Sequence, residues 1–396
     1  MGRLERLEAW AATAVEVCGE VKPLADRLPQ DRFEVVVEDH ERLGAAPQRM
    51  LDGAARAAGL RQTIRVCSAP RRPSSSFGLS IERRLSALLR DPGLFDEESA
   101  DAGAAVIERA AARARDRAPR RVPVATHDGL TLDAFTAGDR ARPAVMLIPP
   151  CGMPVELSRR WLHALGDEHF VITWQTRGLF SPADPEPGMA CDVAAQVGDL
   201  LAVMDALGVP SCHLMGLCGG AVIALEAAHR HPGRFGSMSL WHGDYDFGPG
   251  TPKTDHQRDV QALMEIGADS PEKAASYQKL MHRPAALATI PERVAPLVIY
   301  PYATPTLFHH YARLNLAIMS FDSADPLGRI PHSTLVVTSR TDTTAHPAGS
   351  HRVARELARA RLVEEPSGDH LSVFDTSARL TRLAAGFLAA QHPTHA

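Results

Sequence analysis

Short runs of aliphatic and β-branched residues alternate with longer amphipathic stretches over most of the chain, and this alternation carries the first reading of the fold. From Val122 onward VPVAT, LTLDAFTA, AVMLIPP, FVITW, CHLMG, GSMSLW and STLVVTS predict strands, with ARLVEE as a last, weaker one. Helical spacing of apolar residues predicts helices over residues 156–165, 192–207, 221–230 and 349–360. His127-Asp128-Gly129 lies between the first two runs, and Asp-Gly is a hairpin turn signal. The remaining strands are separated by helices, which predicts an α/β fold with a mostly parallel sheet covered by helices.

Upstream of residue 120 the pattern is less regular. A helix is expected over residues 4–18, a strand at FEVVVE, then a helix at PQRMLDGAARAAGL and a strand at QTIRVCSA, closed by the loop-like PRRPSSS. Arg/Ala-rich helices follow to about residue 117, so residues 1–120 read as a small α+β or helical module of unassigned role. After Trp241 the strand-helix order breaks for about eighty residues, against ordinary connections of two to six. The domain expectation is therefore a core over 121–243 and 326–396, interrupted by a helical cap insertion over 244–325.

Composition limits what this fold can serve. With 396 residues, 45% of them hydrophobic, the chain can bury one large core and a second, smaller one. Lys and Arg number 43 against 47 Asp and Glu, a net charge of −4, so no global positive field gathers nucleic acid or anionic membrane. No uncharged apolar segment is long enough to span a bilayer, and MGRLERLEAW carries charge from its third residue, which leads to the expectation of a cytoplasmic protein. The six cysteines form neither a disulfide framework nor a zinc-ligand spacing, so reduced thiols and no metal or other cofactor are expected. His309 and His310 in FHHYARL, with Tyr302, are expected to line or pack the cap.

One stretch carries chemistry. In SCHLMGLCGGA a strand, CHLM, runs through the tight turn GLCGG into the helix AVIALEAAHR, so Cys218 occupies a strand-to-helix elbow. Gly216, Gly219 and Gly220 suit the crowding of such a turn. The helix N-terminus beneath it favours an anionic sulfur and a developing oxyanion. A nucleophile needs a base and the base an orienting acid. Asp342 in SRTDTTAHP follows one strand end and His370 in PSGDHLSVFD follows the last. The chain order Cys218, Asp342, His370 is nucleophile, acid, base, and it identifies residues 122–390 as resembling an α/β-hydrolase domain. Asp244 in WHGDYD, after the sixth strand, is the competing acid.

Within that superfamily GLCGG resembles the lipase-like box of the polyhydroxyalkanoate synthases and the elbow of dienelactone hydrolases. The PP of LIPPCGMP and the TW of FVITWQTRG lean toward the synthase-like branch, whereas TRG is what ordinary α/β-hydrolases carry. The resemblance implies an oxyanion hole from the backbone N–H of Gly219 and one from the loop after Pro150, at Cys151 or Gly152. It implies an acyltransferase that forms an acyl-cysteine from an acyl thioester or activated ester and passes it to an acceptor. The expected partner is a small acyl substrate, free or carried on coenzyme A or an acyl carrier protein, for which RARDRAPRR is a basic docking candidate. The alternatives are a cysteine-dependent thioesterase or dienelactone-type hydrolase, and a non-catalytic ligand-binding or scaffold protein. Homo-oligomerisation is left open.

Overall fold

The apolar runs downstream of residue 120 assemble into one eight-stranded sheet in a computed structural model that describes residues 2–27, 32–37, 44–70, 74–180, 188–281, 287, 290–368 and 370–391. Its strands are β3 (Arg120–Ala125), β4 (Thr131–Ala137), β5 (Ala144–Ile148), β6 (Phe170–Trp174), β7 (Cys212–Leu217), β8 (Phe235–Trp241), β9 (Ser333–Ser339) and β10 (Ala360–Glu365). The spatial order is β10-β9-β8-β7-β5-β6-β4-β3. All neighbours are parallel except the expected β3–β4 hairpin and the β4–β6 pair, which are antiparallel. Every residue of β6 and β7 is buried, which is why these strands read as unbroken apolar runs and not as alternation. This is the fold class that the alternation of strand and helix patterns predicts.

The chain forms two compact units, Met1–Ala118 with Gln278–Thr304 and Pro119–Tyr277 with Pro305–Ala396. In the first, helices α1 (Arg3–Ala25), α2 (Ala46–Ala58), α3 (Ser76–Ser86) and α4 (Glu97–Asp116) surround a parallel pair, β1 (Arg32–Val36) and β2 (Thr63–Cys67). The outer edge of β1 is not left open. The Glu34 amide donates to Glu82 Oε1 at 2.9 Å and the Val36 amide to Ser86 Oγ at 3.1 Å, so two side chains one turn apart on α3 satisfy alternate strand amides. The insertion after β8, expected as one cap over residues 244–325, is divided. The described residues of 278–304 pack into the first unit, where Arg83 donates to the Leu287 carbonyl at 2.7 Å, Arg90 pairs with Glu292 at 2.5 Å and Phe77 meets Tyr300 edge-on. Tyr302, grouped with the cap residues in sequence, therefore lies in the first unit.

In the second unit helices α5 (Arg159–Gly166), α6 (Val193–Ala206), α7 (Gly220–Arg230), α8 (Asp255–Asp269), α9 (Pro305–Met319), α10 (Pro347–Glu356) and α11 (Ala378–Gln391) accompany the sheet. Helix α7 is buried on all sides from Gly220 to Ala228, as the all-apolar AVIAL predicts. Helices α8 and α9 pack on each other, and His309 Nδ1 bonds the Gly267 carbonyl at 2.8 Å across that seam. His309 and the buried His310 thus pack the insertion. No helix among the described residues is long and apolar enough to cross a membrane.

Arg177 of the TRG turn explains how the sheet's upper edge is held. It is 2% exposed and reaches Asp199 on α6 at 2.6 and 2.8 Å and Asp128 in the β3–β4 turn at 2.8 Å. A buried guanidinium left unpaired would be strongly destabilising, so this pairing fixes the turn after β6 relative to α6 and the hairpin. Thr176, next to it, reaches the loop after β5 and so bears on the site.

Candidate active site

The C-terminal ends of β7, β8, β9 and β10 deliver the candidate residues to one place. At the end of β7 the chain turns through Cys218, whose φ of +53° is left-handed, a conformation that costs a non-glycine residue on the order of 1–3 kcal/mol. Neighbouring structure holds it there. The Cys218 amide donates to the Trp241 carbonyl at the end of β8 (2.9 Å), and its own carbonyl accepts from the Ala221 amide (3.0 Å) as α7 begins. A Cβ at Gly216 would sit 2.7 Å from Ala221 Cα, and one at Gly220 would sit 2.5 Å from the Ile148 carbonyl oxygen. These two glycines are required by close backbone approach. Gly219 is not: its Cβ would meet only the Ile318 side chain, at 3.3 Å.

Asp342 lies in the turn after β9 and is 4% exposed. Its Oδ1 accepts the Thr344 and Ala345 amides at 2.8 and 2.9 Å. Its Oδ2 faces two imidazoles, with His242 Nδ1 at 2.8 Å and His370 Nδ1 at 3.0 Å. Burial alone would favour the protonated acid, but these bonds outweigh it and hold the carboxyl well below the usual carboxylate range. His370 opens a short 3-10 turn after β10 and is likewise buried. Burial disfavours its imidazolium, yet the negative charge of Cys218, together with Asp342, raises its pKa well above that of a free histidine. Nε2 of the ring has no hydrogen-bond partner among the described residues. Asp342 is thus hydrogen-bonded to His370, and His370 is electrostatically coupled to Cys218.

The competing acid lies close enough to His370 for their charges to interact, but its hydrogen bond goes elsewhere. Asp244 Oδ1 accepts from the Gln257 side chain on α8 at 2.5 Å, and no hydrogen bond joins it to His370. Burial pushes its pKa up. Of the expected oxyanion donors, Gly152 requires correction: its amide already donates to Thr176 Oγ1 at 2.9 Å. Among the described residues no acceptor takes a hydrogen bond from the Gly219 or Cys151 amide. These two amides are therefore left open to an incoming oxygen.

Two residues escaped the sequence reading. His242 follows directly on β8 and reaches Asp342; its position one residue past a buried strand end, level with the elbow, is the signal that could have found it. Tyr245 is 3% exposed, with a hydroxyl that has no partner among the described residues, and burial together with the charges of Cys218 and Asp244 pushes its pKa up. His242, Asp342 and His370 also present three metal-capable groups within 4.8 Å. Each Nδ1, however, lies at hydrogen-bond distance from Oδ2, so these nitrogens serve as proton donors in this arrangement and not as lone-pair ligands.

The thiols differ sharply in setting. Burial pushes Cys18 and Cys212 up to about 12, and it raises Cys67, Cys151 and Cys191 as well, with the Cys218 and Cys191 charges adding to the effect on Cys151. Cys218 and Cys191 are the half-buried pair, the other four being buried. A substoichiometric dose of iodoacetamide is therefore expected to modify Cys218 first, with activity lost in proportion. Peptide mapping that finds Cys191 carrying the label while activity is intact would overturn this.

No family model matches the sequence. Over 228 residues the chain is 30% identical to a protein of Variovorax paradoxus (strain S110) named "Putative carbamate hydrolase RutD", an alignment covering 56% of this chain and 82% of the relative. A protein of Pseudomonas savastanoi pv. glycinea named "L-allo-isoleucyltransferase" is 24% identical over 257 residues, 63% of this chain and 88% of that one. Among solved structures, a hydrolase from Pseudomonas aeruginosa PA01 superposes with a TM-score of 0.56 at 24% identity, covering 68% of this chain and 98% of the other, which shows a common fold.

Proposed function

The chain belongs to the α/β-hydrolase superfamily as a relative of the RutD hydrolases, and from that membership we propose that it is an acyltransferase working through an acyl-Cys218 intermediate. The observation that carries this reading is a half-buried thiol on a strained elbow, electrostatically coupled to a histidine that a buried aspartate orients. His370, hydrogen-bonded to Asp342 and raised in proton affinity, takes the Cys218 proton as the sulfur attacks. The thiolate attacks the carbonyl carbon of an acyl thioester, and the oxygen takes up the negative charge under the Gly219 and Cys151 amides. Collapse breaks the donor's C–S bond, and the departing sulfur receives the proton from His370 Nε2. In the second half His370, now neutral, takes a proton from the acceptor, whose heteroatom attacks the acyl-cysteine and expels the Cys218 thiolate.

Transfer is preferred to hydrolysis for a chemical reason. An acyl-cysteine is itself a thioester, more open to amines and thiols relative to water than an oxygen ester would be. The name of the P. savastanoi relative, an isoleucyltransferase, supports the same direction and suggests aminoacyl groups among the donors to try. So does the resemblance of GLCGG to the elbow of polyhydroxyalkanoate synthases. The proposed donors are small acyl thioesters on coenzyme A or a carrier protein, for which the largely exposed basic run RARDRAPRR, residues 113–121 at and beyond the end of α4, is a candidate docking surface by charge complementarity. A second reading, a cysteine-dependent hydrolase, is favoured by the RutD names.

Intact-mass spectrometry after mixing with acyl and aminoacyl N-acetylcysteamine thioesters tests the proposal. A covalent adduct of one acyl group that maps to Cys218, and is discharged by an added amine or thiol with formation of the acylated acceptor, is expected. Free acid as the sole product with every acceptor establishes the hydrolase reading, and absence of any adduct or turnover removes both.

A further inference from the structure

We infer that His242 is a positioning residue of the catalytic apparatus, a second imidazole that pins Asp342 and keeps the shared proton on His370. The inference rests on the assignment of Asp342 and His370 to the base system proposed above. His242 is 1% exposed. Its φ of +48° is left-handed, an unfavourable conformation for a side chain of this size. Its Nε2 is buried without a hydrogen-bond partner among the described residues. Its backbone amide merely continues the β8–β9 ladder, donating to the Val337 carbonyl at 2.8 Å, which any residue but proline would do. The polar contact that compensates is the one from Nδ1 to Asp342 Oδ2, at 2.8 Å shorter than the 3.0 Å from His370. Structural strain gathered on one residue, and resolved only toward the acid, points to a role in the acid's chemistry.

The geometry states what that role is. The two rings lie 5.6 Å apart and nearly perpendicular, at 82°, so they approach Oδ2 from separate directions. The other oxygen is occupied by the Thr344 and Ala345 amides. With four donors around it the carboxylate cannot rotate away from His370, and His242 supplies the support opposite to it. A second N–H on Oδ2 also draws charge from the oxygen that would otherwise pull the His370 proton toward itself. His242 therefore holds its own proton on Nδ1, and the catalytic proton stays on the ring that faces the thiol.

Two variants and a substrate-free measurement test this. His242→Gly relaxes the backbone but removes the donor, whereas His242→Asn tolerates the left-handed conformation and keeps an N–H for Oδ2. The rate of Cys218 acylation in His242→Gly should fall about tenfold to a hundredfold with little change in KM, as expected for loss of catalytic alignment. His242→Asn should recover most of the rate. In the resting wild-type protein, proton NMR should show two low-field imidazole N–H resonances. His242→Gly should retain one, moved further downfield because a carboxylate with fewer donors is a stronger acceptor for His370. Equal rates in the glycine variant and the wild type, or an unmoved His370 resonance, would overturn the inference, as would an asparagine variant as slow as the glycine one. A wild-type protein that forms no acyl-enzyme defeats the acyl-transfer proposal instead, and the two resonances still decide whether His242 acts on Asp342.

Discussion

Asp342→Asn should lower turnover by about four orders of magnitude, the scale set by removing the charge from a triad acid without moving it. The hydrogen bonds explain why so small a change matters. The amides of Thr344 and Ala345 require an oxygen at Oδ1, so the new carboxamide places its NH2 where Oδ2 had been. That group faces two Nδ1 atoms that had been donors to Oδ2. Each imidazole must give up its Nδ1 proton to accept from the amide, which leaves His370 protonated on Nε2, toward Cys218, and unable to act as a base. The imidazolium also loses one of the partners that raise its pKa. Asp244→Asn should stay within a few-fold of wild type, because Asp244 is hydrogen-bonded to Gln257 and reaches His370 only through its charge. The measurement is kcat for both variants, with circular dichroism to confirm that each is folded. The opposite ranking would make Asp244 the functional acid and would remove the basis for His242 as well.

How far the sequence reveals this site follows from the kind of information each residue carries. Cys218 is legible because its surroundings are local: a strand, a turn and a helix within one stretch, with Gly216 and Gly220 demanded by backbone crowding in the same few residues. Asp342 and His370 are legible through topology, since parallel strands bring their C-terminal ends to one edge wherever they fall in the chain. His242 satisfies the same topological condition, but a lone histidine among 18 has no sequence signature until its partner's second lone pair is known. The Gly152 assignment failed for a related reason. Which loop amide is free depends on Thr176, whose place is fixed by the Arg177 ion pairs to Asp128 and Asp199, residues far apart in sequence. The division of the insertion was hidden too. Helical periodicity shows that a face is apolar, and says nothing about whether it packs on α3, as residues 295–299 do, or on α8, as α9 does.

Replacing Cys218 separates the choice of nucleophile from the rest of the machinery. Cys218→Ala should abolish the acyl-enzyme, since it removes the proposed nucleophile. Cys218→Ser keeps the elbow, the Gly219 and Cys151 amides and the His370–Asp342 pair, so residual chemistry is expected. It changes two things. A hydroxyl is not ionised at neutral pH, so His370 loses the negative partner that favours its imidazolium, and its pKa falls. The serine variant must then work from neutral His370 as a general base, and its activity should rise with pH through that lowered pKa. The intermediate also changes from a thioester to an oxygen ester, which discriminates less in favour of amines and thiols over water. Acylation should slow by orders of magnitude, and the surviving flux should shift from acylated acceptor toward free acid. The ratio of those two products, taken for both proteins at equal acceptor concentration, is the measurement. A serine variant with wild-type rate and ratio would mean that cysteine at the elbow is interchangeable with serine, and the step from its chemistry to acyl transfer would fall.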